Sequence, residues 1–279
     1  MRLFQYPLAI AIFAFLIPLF GATKGLAATD PYIPAYDSCG QETVATDFYA
    51  DIARHDLATV FLTRPGEYLG FIGNDGQRFY IYFAEALKTD DDPHTYIVAG
   101  KTRVKNNICD FDGRITIRKA GIYKKDPAND DFPKFRQGFI GADVSLFEVD
   151  VQKGSGKIQG VVQSYIAIDQ QGTLTYDALT EGADGFENNQ FAGTWTSYKT
   201  GATKVCNFGH SRFPHTGLPK GVRLDKGVGQ FLPEDTYIKN GWLSYAECLG
   251  SYQVPGDKRA PEEVQDAACR KEKERWWAR

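Results

Sequence analysis

Few residues are of a type and spacing that could do chemistry. The chain has four histidines, and two of them, His210 and His215, lie close together beside Asn207 and Arg212. Histidine titrates near neutrality and can ligate a metal, so this pair is the candidate machinery for a hydrolase. The two rings sit in a loop broken by Gly and Pro, which enforces no geometry, and no third ligand stands nearby in sequence. Asp110-Phe111-Asp112-Gly113 begins like a calcium loop but lacks the third acidic position and the distant bidentate Glu, so it reads as the entry to a strand. No Gly-x-Ser-x-Gly elbow, HExxH helix or phosphate-binding glycine loop occurs. The expectation is a protein with no assigned catalytic residue, no cofactor and no metal site. The basic residues Lys101, Arg103, Lys105, Arg114 and Arg118 bind an anion on one reading. On the other they form a solvated outer face balanced by Asp110 and Asp112.

Aromatic residues are the richer signal, with 15 Tyr, 19 Phe and 4 Trp. Asn188-Asn189-Gln190-Phe191-Ala192-Gly193-Thr194-Trp195 contains Phe-x-Gly-Thr-Trp, which resembles the Gly-x-Trp strand of the calycins. The resemblance covers five residues late in the chain. It implies an up-and-down barrel with the Trp packed across one end, and it implies little about a ligand. Trp195 and Tyr198 near that end, with Tyr80 and Tyr82, are the candidate ligand-binding residues.

The elements that would position these groups follow from periodicity. From Glu67 to Phe208 apolar residues recur every second position, which a pleated strand gathers on one face and a helix scatters. Phe79, Ile81, Phe83 and Leu87 form one such set, opposed by Arg78, Tyr80, Tyr82 and Lys88. Tyr96, Val98 and Val104 form another, followed by Phe111, Ile115 and Ile117, then Ile140, Val144 and Leu146, then Ile158, Val162, Ile166 and Ile168. Asn74-Asp75-Gly76 and Asp169-Gln170-Gln171-Gly172 suit tight turns between them. Pairing Asn74 with Gln77 would set Ile72 opposite Phe79. Pairing Lys105 with Asp110 would set Arg103 opposite Asp112 and Val104 opposite Phe111, avoiding like charges across the ladder. The fold class expected is all-β: an antiparallel up-and-down meander of about nine strands closing into a calycin-like barrel. A short helix should precede it, since Val44, Phe48 and Ile52 repeat every four residues, and a terminal helix should follow over 261–277, with Pro261 in its first turn. In that helix Trp276 and Trp277 would pack on the barrel wall or rest on an anionic membrane surface.

The chain accordingly divides into a signal peptide over 1–28, a lead-in over 29–66, the barrel over 67–208 and a loop-rich extension with the terminal helix over 209–279. Arg2, an apolar run from Leu8 to Phe20 and small residues at Gly25, Ala27 and Ala28 carry the signal-peptide reading. Without Arg2 and Lys24 the remainder holds 30 basic and 35 acidic residues, which gives no reason to expect nucleic acid. No later stretch is apolar enough to span a membrane. Export to a periplasm or the exterior favours disulfides among Cys39, Cys109, Cys206, Cys248 and Cys269. Counting strands alternately up and down places Cys109 and Cys206 at the same rim, so a Cys109–Cys206 bridge is expected. Cys248 would then pair with Cys269, leaving Cys39 free or linked to another chain. The functional expectation is an exported, non-catalytic barrel that binds a small apolar molecule or a secreted or periplasmic protein. The competing reading is an exported hydrolase using His210 or His215.

Overall fold

Strands form where apolar and polar side chains alternate. The computed structural model describes residues 44–62, 68–124, 131–227 and 229–278. The expected signal peptide and Cys39 lie outside these residues. Ten antiparallel strands are described: β1 (Val44–Asp47), β2 (Tyr68–Ile72), β3 (Gln77–Lys88), β4 (Thr95–Val104), β5 (Asn107–Tyr123), β6 (Arg136–Glu148), β7 (Gly156–Ile168), β8 (Leu174–Tyr176), β9 (Asn188–Ser197) and β10 (Thr203–His210). The helices are few and short: α1 (Tyr49–Ile52), α2 (Ala58–Phe61), α3 (Leu243–Cys248) and α4 (Pro261–Glu272). Single 3₁₀ segments occupy Asp235–Asn240 and Trp276–Ala278.

Each strand from β2 to β7 pairs with the next in sequence. The order then continues through β9 and β10, and β10 pairs back onto β2, so the ladder forms a ring of eight strands. β8 extends the end of β7, and β1 lies on the end of β5. Directly opposed residues share a face, and the inner face is dry. Phe79, Ile81, Phe83, Val98, Phe111, Ile115, Ile140, Val144, Leu146, Ile158, Val162 and Ile166 are all buried in one cluster.

Local backbone detail corrects three sequence expectations. In the β4–β5 hairpin the turn is Lys105-Asn106, with Lys105 at φ 55°, so Lys101 faces Asp110, Val104 faces Asn107 and Gly100 faces Phe111. Opposite charges still meet, at 3.6 Å between Lys101 Nζ and Asp110 Oδ1, but not the pair expected. A Cβ on Gly100 would stand 2.8 Å from Phe111 Cζ, so the absence of a side chain there is what admits the ring. In the β2–β3 hairpin a four-residue turn over 73–76 sets Ile72 opposite Gln77 instead of Phe79. A bulge between Phe83 and Glu85 reverses the alternation, so Ala86 turns inward and Leu87 is 63% exposed. Bulges insert one unpaired residue, which flips every later side chain to the other face.

One end of the ring is plugged by the lead-in. Phe48, Ile52, Leu57, Val60 and Phe61 join the inner cluster. The N–H of Leu57 donates to Tyr96 Oη at 2.9 Å, and Asn189 Nδ2 donates to the Val60 carbonyl at 2.8 Å. Lys88 Nζ donates to the Ala53 and His55 carbonyls, satisfying groups left over at the end of α1. The expected helix over Val44, Phe48 and Ile52 is realised only as α1, because Val44 belongs to β1.

The C-terminal extension covers the outer face of β2 and β3. Leu69 and Phe71 pack against Phe213, Leu224, Phe231 and Trp242 in a second core. Arg78 is 3% exposed, lies 4.3 Å from the Trp242 ring and 5.0 Å from the Tyr245 ring, and pairs with Glu272 at 3.3 Å. A disulfide joins Cys248 of α3 to Cys269 of α4. Among the described residues no helix is long and apolar enough to cross a membrane.

Candidate functional site

Following β6 inward residue by residue leads from Ile140 through Ala142, Val144 and Leu146 to Glu148, a carboxylate on the dry face. Glu148 is 5% exposed and is the hub of a hydrogen-bond set drawn from three other strands. Thr102 Oγ1 of β4 donates to Oε1, while the Gly156 N–H of β7 and Trp195 Nε1 of β9 donate to Oε2 at 2.7 and 2.9 Å. Gly156 is required here in a steric sense: a Cβ would lie 2.6 Å from Trp195 Cε2, so only glycine leaves space for the indole to pass over β7 and reach the acid on β6. Burial pushes the Glu148 carboxyl above its ordinary pKa, although the three donors pull the other way.

Glu148, Thr102 and Trp195 line a cavity of about 550 Å³ at the end of the ring away from the lead-in. Ile72, Phe79, Val104 and Trp195 supply its apolar wall, Gln77, Thr102 and Glu148 its polar points, and Lys105, Lys153 and Lys204 stand with Asp75 around it. A volume of this order, mostly apolar with a few placed polar groups, is what small-molecule sites share.

Both remaining cysteines belong to this end, but not as the expected bridge. Cys109 and Cys206 are buried free thiols. Cys109 is opposite Thr102 and Cys206 opposite Ile72, so both turn inward at one rim. Their strands, however, stand four places apart in either direction round the ring, on opposing sides, and a disulfide needs Cα atoms within roughly 7 Å. Burial, reinforced by Glu148, raises both thiols, Cys109 to about 11, so neither is a ready nucleophile.

Of the four ligand-binding candidates read from sequence, only Trp195 lines the cavity. Tyr198 sits just beyond it on the turn after β9, 40% exposed, its N–H donating to the Ser155 carbonyl at 3.2 Å. Burial and the acids Glu148, Asp150 and Asp112 hold its phenol above the usual range. Tyr80 and Tyr82 are on the outer face, where the alternation of β3 puts them, and not along the cavity. Tyr82 stacks on Trp277 at 4.6 Å, and Tyr80 meets Trp276 edge-on at 6.0 Å and the Arg103 guanidinium at 3.8 Å. The tryptophans therefore pack against the sheet, and the basic stripe is largely occupied: Arg103 by these rings, Lys101 by Asp110 and Arg118 by Asp143 at 2.7 Å.

The two histidines are not brought together as a cluster. His210 is buried at the plugged end, with Nδ1 2.8 Å from Tyr176 Oη and its ring 4.0 Å from that of Tyr68. His215 lies edge-on to Phe213 at 5.3 Å in the extension, and burial lowers its pKa. Among the described residues no three His, Cys, Asp or Glu side chains are grouped to hold a metal ion. Glu148 and Thr102 were missed by motif reading. The available signal was the alternation itself, since stepping by two from Leu146 lands a carboxylate on the apolar face. No protein-family model, curated protein or solved structure matches this chain.

Proposed function

We propose that the chain is an exported, non-catalytic protein whose ring of strands is a calycin-like barrel and whose open end takes up a small, mostly apolar molecule. The observation that carries this reading is the cavity of about 550 Å³ walled by Ile72, Phe79, Val104 and Trp195, with its polar groups confined to a few points. The plugged opposite end supports a single entrance, and the buried hub at Glu148 supports a preformed wall rather than one that collapses. Export is supported by the Arg2-to-Ala28 leader pattern in the sequence and by the Cys248–Cys269 disulfide.

Titration with the neutral fluorophore Nile red tests the reading. One equivalent should bind the parent protein with enhanced emission, and Val104→Trp, which fills the entrance, should abolish binding while leaving the melting temperature close to that of the parent. Failure of the parent to bind, or equal binding by Val104→Trp, would contradict it.

A further inference from the structure

Glu148 has donors but no counter-ion. Among the described residues no Lys, Arg or His forms an ion pair with it, and the thiols of Cys109 and Cys206 around it are neutral. A carboxylate in an apolar interior is costly unless a cation or protonation compensates it. Its two oxygens offer about four acceptor positions, and the chain fills three, through Thr102, Gly156 and Trp195. Glu148 lines the cavity, and so do the aromatic residues Trp195 and Phe79. A cation that donates a hydrogen bond and lies against aromatic rings satisfies all of these features together.

We propose, resting on the ligand-binding reading above, that the cavity selects an organic amine, its ammonium against Glu148 and its apolar body along Ile72, Phe79 and Val104. Lys105, Lys153 and Lys204 at the entrance oppose an incoming cation. They stand in water with Asp75 beside them, where charge is screened over about 8 Å at physiological ionic strength. Their effect falls on the rate of entry more than on the bound state. Free of counter-charge inside and positive outside, the site disfavours permeation by inorganic cations and requires a ligand whose apolar burial offsets the approach.

Octylamine, octanol and octanoate, which share one tail, separate the head groups when each is titrated against protein carrying Nile red. Octylamine should displace the dye with an affinity at least about tenfold above octanol, the difference one charge-assisted hydrogen bond makes. Glu148→Gln should bring octylamine to the level of octanol. Glutamine can still accept from Gly156 and Trp195 while donating to Thr102, so a melting temperature at or above that of the parent shows that the variant folds. Octanol or octanoate matching octylamine would overturn the amine assignment and leave the cavity reading standing, as would a dye that binds but is displaced by none of the three. Absence of dye binding to the parent would remove both readings.

Discussion

At the residue scale the molecule turns on one acid placed where alternation calls for an aliphatic side chain. The raised pKa of Glu148 comes first from burial, and the sign of its linkage to stability follows. Its contribution to the folded state is fully present below the ordinary carboxylate value of about 4.3 and is lost as pH rises through the higher folded value. Glu148→Gln should therefore gain in melting temperature relative to the parent as pH is raised from about 4 toward neutrality; a difference that does not change with pH would contradict the burial. The thiols give a second check. Maleimide labelling with peptide mapping should leave Cys109 and Cys206 unmodified in the native protein and modify both in denaturant, whereas a peptide linking them would show that their strands stand closer than the ring allows. Glu148 was legible in the sequence, since the inward series on β6 runs straight into it. Its partners were not, because Thr102 and Trp195 come from strands distant in the chain, Gly156 comes from across the next hairpin, and all three meet it only through register.

At the scale of elements, the hairpins were legible as hairpins and illegible in register. The charge argument chose Arg103 opposite Asp112, but Lys105 adopting positive φ tightened the turn and set Lys101 opposite Asp110. The bulge at Phe83 and Glu85 carried no sequence mark and reversed the facing of Leu87. The terminal helix was foreseeable from Pro261 and its charge gradient, but it ends at Glu272 instead of reaching 277, which leaves the two tryptophans to a 3₁₀ segment. Its seat was not foreseeable, because Arg78 reads as an ordinary outward residue until Trp242, Tyr245 and Glu272 close over it. Two losses should measure that seat. Trp242→Ala removes a fully buried indole that donates to the Gly76 carbonyl at 2.8 Å and should cost about 3–5 kcal/mol in denaturant unfolding. Reducing the Cys248–Cys269 bridge, which closes a loop of 21 residues, should cost about 3 kcal/mol on the chain-entropy account. A stability unchanged by both would mean that the extension contributes nothing to the fold.

At the scale of the whole molecule, the two-residue rhythm foretold an antiparallel sheet with one dry face, and the ring of β2 through β7 with β9 and β10 has that face inside. Closure was expected from the number of strands, but which strand would meet β2 was beyond local reading, since the β10 pairing joins residues more than a hundred positions apart. The asymmetry of the two ends was equally beyond it: among the described residues one end is filled by Leu57, Val60 and Phe61, and the other holds the cavity around Trp195 and Glu148. That asymmetry supports the proposed ligand-binding role. Native mass spectrometry of the protein purified from its own host addresses it most directly. A single noncovalent adduct of a few hundred daltons is expected on the parent and should be missing from Val104→Trp expressed in the same cells. An adduct carried equally by both, or a parent that remains bare while also refusing Nile red, would contradict it.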